Sequence, residues 1–337
     1  MSAFATGTAL GSWPGTSARQ AAEVVVGELG GGLAHLVELP ARGVGADLLG
    51  RAGALLVDIA IDTAPRGYRL CARPGAVSRR AVSLLTEDTD ALEEAWEIAG
   101  LRGGGHPVKV QAPGPLTLAA ELELANGHRA ITDPGAMRDL AASLAEGLKT
   151  HRADLARRLD TPVVVQLDEP SLTAAVTGRL AGVTALSPVP ALDEAVAIAL
   201  LDSCAETVGG EILVHSCASE LPWNVLQRSN IAAISLDCTA LAPADYDAIG
   251  AFLDSGRTVV LGMVPAVAPA RRPSVEELAA AAAAITDRIG FARSLLAERV
   301  GISPVCGIAG ATPEWARTAV GLVRKAGEAL GEDPEAV

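Results

Sequence analysis

The sequence predicts an α/β fold, a (β/α)8 TIM barrel forming a single domain over residues 1–337, and three observations carry that prediction. Apolar runs of strand length alternate with longer amphipathic or alanine-rich runs, strand then helix, about eight times along the chain. No Gly-x-Gly-x-x-Gly follows a strand, which disfavours the open doubly wound sheet, the nearest competing architecture. The polar residues that stand out close the apolar runs, where a barrel of this kind builds its active site.

The elements follow in order. Ala5–Ser12 reads as the first strand and Ser17–Leu29 as the helix after it. Gly30-Gly-Gly32 ends that helix, and Ala34–Leu39 is the second strand. Residues 56–73 (Leu56–Arg73) form an inserted hairpin or long loop. Thr89–Ala99 is helical, Gly103-Gly-Gly105 is a loop, and Val108–Ala112 is a strand. Helix Ala136–Leu159 leads to strand Pro162–Leu167. Helix Leu192–Thr207 leads to strands Glu211–His215 and Ala232–Leu236. Helix Pro243–Leu253 precedes strand Thr258–Met263. Ser274 and Glu277 make a capping box for helix Val275–Ile289. Strand Ile302–Cys306 follows, and Thr312-Pro313 starts the last helix, Pro313–Leu330, with proline at its first position.

Half of the residues are hydrophobic but only 3% are aromatic, so the core must be built from Ala, Val, Leu and Ile. A net charge of −13 argues against a nucleic-acid partner, which needs clustered Lys and Arg. The start of the chain lacks a basic segment followed by an apolar one. The tract Ala279–Ala284 is short and flanked by Glu276, Glu277 and Asp287, so it reads as a core helix and no membrane partner is expected. Five widely spaced cysteines favour metal or packing roles in a reducing cytoplasm over disulfides.

The most informative stretch is Glu211-Ile-Leu-Val-His-Ser-Cys217. Residues two apart on a strand face the same way, so His215 and Cys217 project together from its end. An imidazole and a thiolate are ligands that zinc favours. Asp237 and Cys306 also close apolar runs and complete a candidate zinc set. Glu38, Asp168 and Glu169 end other strands. Two such carboxylates could serve a retaining glycosidase, although sugar sites favour aromatic platforms and aromatics are few here. Cys71 and Cys204 read as packing residues, and Cys238 points away from the side of Asp237.

Seven motifs occur in register with one family. Leu10-Gly-Ser-Trp-Pro-Gly-Thr16 resembles an Ile-Gly-Ser-Phe-Pro-x-Thr opening, and Glu38 stands at a substrate-binding glutamate. Val108-Lys-Val-Gln-Ala-Pro-Gly-Pro-Leu-Thr117 resembles Val-Lys-Gly…Gly-Pro-Val-Thr. Gln166-Leu-Asp-Glu-Pro170 resembles Gln-Ile-Asp-Glu-Pro. His215-Ser-Cys217 resembles His-x-Cys, Ile234-Ser-Leu-Asp237 resembles Ile-Ser-Ile-Glu, and Ser303-Pro-Val-Cys-Gly307 resembles Asn-Pro-Asp-Cys-Gly. Together they resemble the catalytic domain of cobalamin-independent methionine synthase.

The resemblance implies a Zn2+ site of His215, Cys217, Asp237 and Cys306. It implies homocysteine held by the Gly11-Ser12 backbone, Glu38 and Asp168, with methyl transfer to its zinc-activated thiolate. Two positions depart from the family. Val267 replaces a histidine that protonates the leaving folate nitrogen, and Glu121 replaces a tryptophan that stacks on the pterin. The methyl donor is therefore open among methyltetrahydrofolate, a methyl-corrinoid protein and a methylated thioether. The other expectations kept open are an S-alkyltransferase acting on another small thiol, an inactive thiol-binding relative, and the uroporphyrinogen decarboxylase-like branch, whose polycarboxylate substrate needs cationic residues.

Overall fold

The computed structural model describes residues 2–184, 186–239 and 241–337. Met1, Ala185 and Ala240, which fall within the expected domain, lie outside the described residues. Among the described residues there are ten strands: β1 (Ala34–His35), β2 (Ala60–Ala64), β3 (Gly67–Cys71), β4 (Val108–Pro113), β5 (Leu122–Glu123), β6 (Val163–Asp168), β7 (Ile212–Ser216), β8 (Ala233–Asp237), β9 (Thr258–Val264) and β10 (Val300–Pro304). Seven make one parallel sheet in the order β1-β4-β6-β7-β8-β9-β10. β2 and β3 pair as an antiparallel hairpin, and β3 continues in parallel to β5.

The expected first strand is not a regular element. Residues 6–13 instead make single bridges at both edges of the sheet. On the β10 edge, the Thr8 N–H donates to the Ile302 carbonyl (3.0 Å) and the Ile302 N–H to the Thr6 carbonyl (3.1 Å). On the β1 edge, the Glu38 N–H donates to the Gly11 carbonyl (3.0 Å) and the Trp13 N–H to the Glu38 carbonyl (2.8 Å). Gly11 takes φ +113°, a conformation that side chains rarely tolerate, so the segment bends there and cannot run as a ladder. β1 is short for a related reason: beyond His35 its partners change from β4 to this segment.

Side-chain parity sorts one face of the sheet into layers. At the N-terminal end, Phe4, Leu33, Val164, Leu213, Ala233 and Val260 form a buried apolar plug. Above it lies a polar layer, two residues along from Leu33, Val164 and Ala233 and including Lys109 of β4: His35, Lys109, Gln166 and Ser235 are fully or almost fully buried. Two residues further lie Gln111, Asp168 and Asp237, and Cys217 follows just past the end of β7. The other face carries the main core, where helices such as Ala18–Leu29, Pro134–Leu159, Val275–Ile289 and Pro313–Glu332 bury Ala, Val and Leu side chains.

The helix starts follow their local signals. The Ser274 Oγ accepts the Glu277 N–H (3.2 Å) and the Glu277 carboxylate accepts the Ser274 N–H (2.9 Å). Thr312 caps the Trp315 N–H (3.2 Å) ahead of Pro313. The alanine tract is amphipathic: Ala279, Ala282 and Ala283 are buried while Ala280, Ala281 and Ala284 are exposed. Among the described residues no helix is long and apolar enough to cross a membrane.

One packing contact makes a test of the fold. Gly147, in the helix Pro134–Leu159, lies so close to the Leu55 carbonyl that an added Cβ would come within 1.6 Å of its oxygen. Gly147→Ala is expected to destabilise the protein by about 1–3 kcal/mol, although alanine favours helix by about 1 kcal/mol. Urea unfolding measures this; equal or greater stability would show that the helix is free to shift.

Candidate metal and thiol site

The C-terminal ends of the strands open into a cleft of about 280 Å3. Its lining includes Leu10, Ser12, Glu38, Leu48, Asp168 and Pro170 on one part, and His215, Cys217, Cys306 and Ala309 on another. β7 delivers His215 at its end, with Cys217 one step past it, and the turn after β10 delivers Cys306. The ligand atoms of His215, Cys217 and Cys306 all lie within 4.8 Å of one another. The two sulfurs are 3.1 Å apart.

The pair shares its protons unequally. The hydrogen bond from Cys217, then one from His215, holds the Cys306 thiol down at about 4. The same hydrogen bond to Cys306, followed by burial, pushes the Cys217 thiol far up. Nδ1 of His215 is buried and has no hydrogen-bond partner. One ionised sulfur, one protonated sulfur and an orphaned imidazole nitrogen converging on a point fit a zinc ion, whose structural and catalytic sites use these donors.

Asp237 stands outside that group. It shares the parity of Ala233 and Ser235 on β8, but its Oδ1 accepts the Thr239 N–H (2.8 Å) and caps the turn. Aspartate is one methylene shorter than the glutamate its motif suggested, and its carboxylate stays with the backbone.

Two carboxylates face the cleft. Glu38 is buried and held above its ordinary range by desolvation; Arg51, with Nε 3.7 Å from Oε1, opposes the rise. Asp168 is raised more strongly, again by burial first and then by the Glu38 charge. Both buried carboxylates resist ionisation, and a cation placed beside them would favour their charged forms. Arg51 also joins Asp88, which Arg42 grips in a two-oxygen hydrogen bond (2.7 and 2.8 Å), so a buried charge network backs Glu38.

Glu169 is not part of this pair. Its carboxylate accepts the N–H groups of Leu116 (2.9 Å) and Thr117 (2.7 Å) and the Thr117 hydroxyl (2.7 Å), capping the helix Pro115–Glu121. Burial raises it to about 7. A glycosidase pairing of Asp168 with Glu169 has no geometric basis.

Ser12 lines the cleft, and its carbonyl accepts the Ile308 N–H (3.3 Å) from the loop after Cys306. Gly11 sits just behind; a Cβ there would strike the Gln111 side chain at 2.5 Å. Cys204 is buried in the core, and Cys71 closes β3 with its Sγ against the Arg73 carbonyl (3.3 Å), so both lie away from the cleft.

The family described as "Cobalamin-independent synthase, Catalytic domain" matches residues 4–329. The chain belongs to that family. A similar solved structure is a B12-independent methionine synthase from Shewanella sp. W3-18-1 in complex with selenomethionine. It is 14% identical, with a TM-score of 0.64, covering 99% of this chain and 100% of that one. At that identity the likeness speaks for the fold alone. A comparison with curated proteins gives no match.

The structure places the two residues that depart from the family pattern, Glu121 and Val267. Glu121 is tied to the Ser171 hydroxyl (2.7 Å) and to Arg129 (3.1 Å). Val267 lies on the surface, 57% exposed. Sequence reasoning did not single out Lys109 and Gln166, which are buried in a hydrogen-bond chain that reaches Asp168; the signal was available in the charged and amide residues inside otherwise apolar strands.

Proposed function

We propose that this chain is a zinc-dependent S-methyltransferase acting on homocysteine or a closely similar small thiol. Its sheet is proposed to close into a single-domain (β/α)8 barrel through residues 6–13. The observation that carries the reading is one cleft lined both by the His215, Cys217 and Cys306 cluster and by the buried carboxylates Glu38 and Asp168. Family membership supports methyl transfer to a thiol.

Zinc held by His215, Cys217 and Cys306 supplies Lewis acidity that lowers the pKa of an added thiol, ordinarily near about 8.5. Glu38 and Asp168 take the substrate ammonium, and the backbone at Gly11-Ser12 takes its carboxylate. Leu10, Leu48 and Pro170 exclude water from the path of the thiol. The sulfur lone pair forms the new S–CH3 bond as the bond from methyl to donor breaks, and that electron pair leaves with the donor. Asp237 would serve as a further ligand through Oδ2, with Oδ1 keeping the Thr239 N–H, once its side chain turns toward the cluster.

The donor side favours a molecule other than methyltetrahydrofolate, because Glu121 is held in an ion pair and Val267 offers neither a proton nor a stacking surface. A methyl-corrinoid protein or a methylated thioether releases its leaving group without that proton. Single-turnover transfer to homocysteine from each donor class is the test. Transfer from a corrinoid or thioether donor, with little from methyltetrahydrofolate, is expected. Transfer from methyltetrahydrofolate alone would overturn the donor assignment. Tight homocysteine binding with no transfer from any donor would favour a thiol-binding protein.

A further inference from the structure

We propose that Lys109 and Gln166 are positioning residues that select a thiol carrying an ammonium group, a role that rests on the function proposed above. Both are fully buried on the inner face of the sheet, beneath the cleft. Such interiors are ordinarily filled by branched apolar side chains. The plug below is of that kind, and a methionine would fill the volume of Lys109 without the desolvation that pulls its ammonium down to about 7. Packing alone therefore gives no reason for a lysine.

The hydrogen bonds give one. The Lys109 Nζ donates to the Ala9 carbonyl and to Oε1 of Gln166. Nε2 of Gln166 donates to the Leu10 carbonyl (3.0 Å) and to Oδ1 of Asp168 (2.7 Å). An amide has a donor end and an acceptor end, whereas an ammonium only donates. Lys109 therefore holds the oxygen of Gln166 toward itself and the NH2 toward Asp168. A flipped amide would set its oxygen against the carboxylate. The same chain anchors the two carbonyls that directly precede Gly11-Ser12. One buried relay thus aligns the carboxylate proposed for the substrate ammonium and the backbone proposed for the substrate carboxylate. Asp168 and Glu38 in turn favour the charged form of Lys109, which ties all of these groups together.

The test compares homocysteine with 4-mercaptobutyrate, the same thiol without its ammonium, binding to the zinc-loaded full chain by calorimetry. In Lys109→Met the zinc content should be unchanged and the Kd for homocysteine should rise at least tenfold. The Kd for 4-mercaptobutyrate, which keeps the carboxylate but has no ammonium for Asp168, should rise several-fold less, so the preference for the amino thiol shrinks. Gln166→Met should show the same selective loss, and it decides the matter should Lys109→Met fail to fold. Equal weakening for both thiols would reveal a merely structural role and overturn the proposal, as would an unchanged homocysteine Kd. A wild type that binds neither thiol would overturn the function itself, and the positioning role with it.

Discussion

Cys306→Ser is expected to lose zinc and methyl transfer together. Changing groups that only support a metal ligand already costs about 10–100-fold in metal affinity, so removing one of three converging ligands should cost at least about 100-fold. Cys306 is half-buried at the cleft rim and outside the apolar core, so the fold should survive with an unchanged thermal melt. Cys217→Ser should behave alike. Metal content after dialysis against a weak chelator is the measurement, and a serine variant that keeps stoichiometric zinc would remove that cysteine from the site. The wild type carries a pH signature as well. At neutral pH Cys306, held at about 4, is already ionised, and Cys217, pushed far up, is still protonated. Zinc therefore displaces one thiol proton, and its affinity should rise about tenfold for each unit of pH. Calorimetry in buffers of different ionisation enthalpy counts that proton.

Asp168→Asn is expected to raise the KM for homocysteine by about 100-fold with zinc content unchanged. The substitution keeps the shape and the position above Gln166, but it replaces a charged partner for the ammonium with a neutral one. Hydrogen bonds to charged groups contribute about 1.5–3 kcal/mol, and each 1.4 kcal/mol is a factor of ten. The effect should vanish for 4-mercaptobutyrate, which has no ammonium to lose. A fall in kcat with no change in KM would place Asp168 at the reacting atoms instead.

Much of the sheet was legible because a parallel strand buried on both faces is a continuous apolar run. β4, β6, β7, β8 and β9 all begin or end within a residue or two of the runs that announced them. The same property hid the residues inside: Lys109 and Gln166 interrupt their strands, and only the folded interior shows what they hold. The helix Ala76–Ile98 begins well before the expected Thr89, because its N-terminal half buries polar Ser78 and Asp88, which a hydrophobic period does not count. The short helices Leu48–Ala52, Leu172–Val176 and Trp223–Arg228 were unannounced, since one or two turns leave no period to detect. Among the candidate ligands, spacing found His215 and Cys217, and the end of an apolar run found Cys306. It could not tell that Asp237 would spend its carboxylate on Thr239 or that Glu169 would cap a helix, because both depend on loops whose backbone direction no pattern encodes.

Residues 6–13 meet partners at two very different distances along the chain: Glu38 is made almost at once, Ile302 nearly last. At about 5–20 residues per second, ribosomal synthesis leaves the β10 edge of this segment waiting for on the order of tens of seconds. During that interval the nascent chain presents an unpaired backbone row, the surface on which other chains assemble by strand addition. Contacts of such sequence separation also slow the final folding step. The last strand to leave the ribosome is the one that covers that row, and the turn behind it brings Cys306. On the proposed zinc role, a chain cut short before β10 would lack Cys306 and would keep this row uncovered, so products truncated there should be both aggregation-prone and poor in zinc.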